Sequence, residues 1–131
     1  MNYMHDIRNE EDITTLVHVF YGSVEENEQL GYIFNEVSNV DWDEHLPKMV
    51  GFWSKMLFRI ERYKGRPFRE YLSFPIGKED FSRWVGLFTE TVDKPFEGNW
   101  ADYAKESALN IANSFSTRMA MEGNFDQKNE N

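Results

Sequence analysis

The sequence predicts an all-α domain. Apolar residues recur at three- and four-residue steps in a series of separate stretches, and no stretch alternates with the period of two that a half-buried strand requires. The segment GRPFREYLSFPIG, residues 65–77, holds two glycines and two prolines, makes a poor helix interior and divides the helical pattern. About five principal helices are expected, with no sheet.

Asn9, followed by Glu10, Glu11 and Asp12, reads as an N-cap with an acidic first turn, after which Ile13, Leu16, Val17, Phe20, Tyr21 and Val24 repeat at helical spacing. Leu30, Ile33, Phe34 and Val37 repeat the pattern briefly, so a second, shorter helix follows a break near Glu28 to Gly31. WDEHLPKMVGFWSKMLFRI supplies Trp42, Leu46, Met49, Trp53, Met56, Leu57 and Ile60 to a third helix. Pro47 lacks an amide donor, which places it in the first turn or at a kink. Phe81, Trp84, Val85, Phe88 and Val92 mark a fourth helix, and Trp100, Ala104, Ala108, Ile111, Phe115 and Met119 a fifth. GNFDQKNEN is polar and starts with a glycine suited to a helix stop. Residues 1–122 are therefore read as one domain and 123–131 as a disordered tail.

A chain of 131 residues can bury a real core without staples. Its lack of cysteine excludes disulfides, thiolate metal sites and a cysteine nucleophile. MNYMHDIRNEEDI has no apolar run of signal-peptide length, and no stretch reaches the roughly eighteen apolar residues of a membrane span. A soluble, cytoplasmic protein with no membrane partner is expected. The net charge of -9 repels phosphates, so nucleic acid is not expected as a partner. Against that background Arg59, Arg62, Lys64, Arg66 and Arg69 concentrate positive charge before Tyr71. Two readings stand for this run: a helix end whose cations complement the helix dipole, or a site for an anionic group.

Four tryptophans, eleven phenylalanines and six methionines make an aromatic-rich interior. Such an interior either closes on itself or lines a cavity for a large flat ligand. None of His5, His18 and His45 has a carboxylate three residues before it, which excludes the paired Glu-x-x-His of a di-iron bundle. There is no P-loop, G-x-G-x-x-G, H-E-x-x-H or G-x-S-x-G. His45 precedes Met49 and Trp53 by four and eight residues and so faces inward. It is either a neutral core histidine bonded to a carbonyl or a donor to something bound. Tyr21 and Trp84, polar-tipped rings on apolar stripes, pose the same alternative.

LVHVFYGSV, LGYIFNEV, WDEHLPKMVGFW, RYKGRPF and DFSRWVGLFTETV follow one another in the order and spacing of the group III truncated haemoglobins. Over roughly residues 3 to 120 the chain resembles that family of small globins with a two-over-two helical sandwich. The resemblance implies haem b as cofactor and a diatomic gas or peroxide as ligand, in a binding protein more than an enzyme. It implies that Tyr21, His45 and Trp84 line the distal haem pocket, with Met49 and Trp53 at further lining positions. An O–H and two N–H donors in a dry pocket suit a ligand that gathers negative charge on its outer atoms. The basic run would suit the haem propionates.

Tyr71 departs from the pattern. The resemblance implies a proximal histidine four residues after the proline of G-x-P, and counting from Gly65 and Pro67 puts Tyr71 there. Three outcomes stand: tyrosinate ligation, for which catalase is a precedent, iron held by His45 from the other side, or no haem. The last leaves a globin-fold scaffold that binds another ligand or a protein.

Overall fold

The computed structural model describes residues 4–37, 39–60 and 77–121, which form helices α1 (Glu10–Glu26), α2 (Glu28–Gly31), α3 (Trp42–Phe58), α4 (Lys78–Asp93) and α5 (Asn99–Met121). A π-helical turn, Tyr32–Val37, continues α2. The all-α expectation holds, and the described residues add only an isolated parallel bridge between His5 and Phe96. Side chains of Val37 and Met119, assigned above to apolar stripes, lie outside the described ones, as do residues 122–131 with the polar tail.

Local chemistry sets the helix ends. Asn9 caps α1 as expected, its Oδ1 accepting from the Asp12 amide at 2.9 Å. Burial pushes the Asp12 carboxyl up, but hydrogen bonds and charge from Arg8 outweigh burial and hold it below the usual carboxylate range. The break after α1 falls at Asn27. Its N–H donates to the Ser23 and Val24 carbonyls while its Oδ1 accepts from the Gln29 and Leu30 amides, so one residue closes α1 and opens α2. A Cβ on Gly31 would collide with the Glu25 carbonyl, which is why the tight corner takes glycine.

Helix α3 starts at Trp42, where Asp41 accepts from the Asp43 and Glu44 amides. Pro47 is its sixth residue, beyond the first turn, so the Asp43 carbonyl lacks the amide that a helix would normally supply. Arg59 ends α3 in the left-handed region (φ 61), with its N–H and that of Ile60 returning to carbonyls of the last turn. The start of α4 is closed by Asp80, whose carboxylate accepts from the Gly77 amide at 3.0 Å. Helix α5 is capped from far along the chain: Asp6 accepts from the Trp100 and Ala101 amides at 2.9 and 2.8 Å. Gly98, at φ 137 against the Asp6 side chain, leaves room for that cap.

Helix α1 packs on α3 and on α4, and α4 packs on α5, which gives the two-over-two sandwich. One expected face is corrected. Trp100 is 41% exposed and lies edge-on to Phe58, while Ala101, Ala104, Ala108 and Ala112 form the buried stripe of α5. Alanines let α4 and α5 approach closely, and an indole in that seam would hold them apart. No described helix is long and apolar enough to cross a membrane.

Candidate functional site

Helical spacing brings His45, Met49 and Trp53 onto the inner face of α3, all buried. Neighbouring residues Phe20 and Tyr21 of α1 are also both buried, because α1 is covered by α3 on one side and α4 on the other. Trp84 and Phe88 come from α4.

These rings form two joined groups. In the first, Tyr21 meets His45 edge-on with ring centres 5.4 Å apart, and Trp42 lies 5.7 Å from Tyr21 and 5.8 Å from His45. In the second, Trp53 and Trp84 both stack on Phe88, at 4.8 and 6.1 Å. Phe20 bridges them, edge-on to Tyr21 at 4.7 Å, to Trp84 at 5.4 Å and to Phe88 at 5.1 Å. Each edge-to-face pair contributes roughly 0.5–1.5 kcal/mol beyond its buried area. Of the residues singled out from sequence, Tyr21 and His45 are in direct ring contact, Trp53 and Trp84 share Phe88, and Met49 lies one turn from both His45 and Trp53. Phe20, Phe34, Trp42 and Phe88 enter the site although they read only as core stripes. Trp42 carries the one signal that marks it, a position three residues before His45 on the same helical face.

Burial, reinforced by the positive charge of Lys48, lowers the His45 pKa to about 4. At neutral pH its imidazole is therefore uncharged and offers one N–H and one lone pair. The Trp53 Nε1–H and the Ser54 hydroxyl are buried with no hydrogen-bond partner among the described residues. Leaving such a group unsatisfied costs about 1–3 kcal/mol, so a buried indole N–H without an acceptor is a donor open to a guest. Among the described residues no group of three or more His, Asp or Glu side chains is placed to hold a metal ion. The other histidines are peripheral: His5 Nδ1 donates to the Asp6 carbonyl, and His18 is exposed, with Nδ1 on the Thr14 carbonyl.

The chain is 32% identical over 111 residues to the group 3 truncated hemoglobin ctb of Campylobacter jejuni, a match covering 82% of this chain and 87% of that relative. This chain belongs to the group III truncated haemoglobin family. The crystal structure of a group III truncated hemoglobin from Campylobacter jejuni matches this fold with a TM-score of 0.79 at 29% identity, covering 91% of this chain and 95% of that one. No family model matches the chain.

For this truncated globin, Tyr71 and the basic residues Arg62, Lys64, Arg66 and Arg69 lie outside the described residues. Arg59, the first of the run, is exposed at the C-terminal end of α3, where a cation complements the helix dipole.

Proposed function

We propose that this chain is a haem-binding truncated globin that holds a diatomic ligand or a peroxide beneath Tyr21, His45 and Trp84. The observation that carries the reading is the buried edge contact of Tyr21 with a neutral His45, in an interior where the Trp53 N–H has no acceptor among the described residues. The described residues fit haem b on two counts. Met49, Trp53 and Trp84 give apolar and aromatic surface suited to a flat macrocycle, and the Trp53 N–H is a donor that no described residue uses. Haem supplies an iron able to bind small ligands and to exchange electrons.

The chain's own side chains do the rest. Helices α1, α3 and α4 exclude water, which strengthens every hydrogen bond formed inside. The Tyr21 hydroxyl and the neutral His45 imidazole can donate to a ligand that gathers negative charge, and a cationic His45 is disfavoured by the same burial. Tyr71 is the residue that would hold the iron if haem binds. A phenol is a poor ligand while neutral, and its ordinary pKa near 10 falls only if iron or a nearby arginine such as Arg66 or Arg69 favours the anion. Tyrosinate ligation favours ferric iron and redox or peroxide chemistry over reversible oxygen carriage.

A haem titration followed by visible absorption tests this. Wild type should take up haem in a ferric form with a tyrosinate charge-transfer band. Tyr71→Phe should lose the band, and Tyr71→His should hold haem more firmly and bind oxygen in the ferrous state. Equal uptake and identical spectra for wild type and Tyr71→Phe would remove Tyr71 as the ligand. The missing proximal histidine favours a second reading, a haem-free globin scaffold for another ligand or a protein, and no uptake by any of the three chains would establish it.

A further inference from the structure

Asn35 and Trp42 stand outside the donor set, yet both are arranged around it. Trp42 is the first residue of α3, half-buried, and its Nε1–H donates to Asn35 Oδ1 at 2.7 Å. Asn35 belongs to the π-helical turn that continues α2. The Phe34 ring stacks on Trp42 with centres 5.8 Å apart and planes 12° from parallel. A second bond, Val40 N–H to the Phe34 carbonyl at 2.8 Å, closes the connection between the π turn and α3. The indole is thus fixed by one face and by its N–H. It also meets His45 and Tyr21, with planes at 74° to the imidazole and 51° to the phenol. Tyr21 meets His45 at 88°, so the imidazole stands steeply inclined to both the phenol and the indole and its rotation is restricted by both.

We infer that the Asn35–Trp42 hydrogen bond is a positioning device that sets the ring orientations of Tyr21 and His45. An apolar side chain at 35 would fill the same half-buried space, but it would not bind the indole N–H, and Trp42 would be free to turn about its stack on Phe34. The two donor rings would then lose a fixed wall. The inference deepens the ligand-binding reading and rests on it for its purpose, while the positioning itself is a property of the haem-free chain.

Nuclear magnetic resonance on the purified full-length chain tests it without haem. In wild type the Trp42 Nε1–H should exchange with solvent at least about tenfold more slowly than a free indole, as a hydrogen-bonded group does. Exchange at the free rate would overturn the inference whatever the variants do. The cross-peak between the Tyr21 and His45 rings should be weakened in Asn35→Leu and in Trp42→Phe, be no weaker in the double variant than in the weaker single one, and return in Asn35→Asp, which keeps an acceptor. A cross-peak intact in Asn35→Leu, or absent from a folded Asn35→Asp, would also overturn it. In chains loaded with haem and carbon monoxide, the C–O stretching band should shift in Asn35→Leu and return in Asn35→Asp. Failure of wild type to take up haem in a separate absorbance titration would refute the cofactor reading alone, leaving the exchange and cross-peak results to decide the positioning.

Discussion

The seam between α4 and α5 and the aromatic interior between α1, α3 and α4 are both buried, but they are built on opposite principles. The seam is lined on the α5 side by Ala101, Ala104, Ala108 and Ala112, and its ends are tied by polar groups that are satisfied: Asp6 on the α5 amides and Lys105 on Asp93 at 2.7 Å. The interior is filled by large rings and contains a neutral imidazole together with an indole N–H that has no acceptor among the described residues. Small side chains with satisfied ends hold two helices together and leave nothing to offer a guest. A large ring whose buried N–H has no acceptor among the described residues costs the fold stability, since the N–H loses its water without gaining a partner.

The largest test of the contrast is acid. Folded His45 has a pKa of about 4 against an ordinary 6.5, so between those values the unfolded chain binds the proton that the folded chain refuses. Stability from this group is fully present above pH 6.5 and falls as pH drops toward 4, by about 3 kcal/mol. Urea denaturation at several pH values should show that slope in wild type and a flatter one in His45→Leu. The lowered Asp12 pKa acts separately and further down: its contribution is present above the ordinary value of 3.8 and is lost as pH falls through the folded value.

Overpacking the seam comes next. Ala108→Leu should destabilise the fold by about 1–3 kcal/mol in thermal or urea unfolding, because two closely approached helices must part. An unchanged midpoint would mean that the seam is looser than its alanines suggest. Removing the remote cap with Asp6→Ala should cost about 1–2 kcal/mol, since the Trp100 and Ala101 amides lose their acceptor. Amide exchange should quicken at the start of α5 before it does elsewhere.

The smallest expected effect on stability sharpens the comparison most. Trp53→Phe trades indole packing against removal of an unsatisfied N–H, so unfolding free energy should move by less than about 1 kcal/mol. If the N–H is held for a ligand, the same variant should weaken ligand affinity in haem-loaded protein. A large loss of stability would instead identify Trp53 as plain core.

Four of the helices were legible from period alone, because a residue's side of a helix depends only on its spacing from its neighbours. Asn9, a polar cap followed by acidic residues, marked the start of α1 for the same local reason. The inward faces of Tyr21, His45, Met49, Trp53 and Trp84 were likewise implicit in spacing, and all five are buried. Partners were not legible. Leu30, Ile33, Phe34 and Val37 fit an α-helix and a π turn equally well, and only the backbone's hydrogen bonding distinguishes them. Trp100 fitted the apolar stripe of α5 by spacing, yet it is exposed and the buried stripe is made of alanines. Asp6 lies 94 residues from the amide of Trp100, and no local pattern connects a carboxylate to a helix start at that distance. By itself the sequence determined which elements form and which faces turn inward, since both follow from local spacing and capping. Tertiary structure alone decided which rings meet, which donor finds no acceptor among the described residues and which helix is capped from afar, because those depend on how the helices cross.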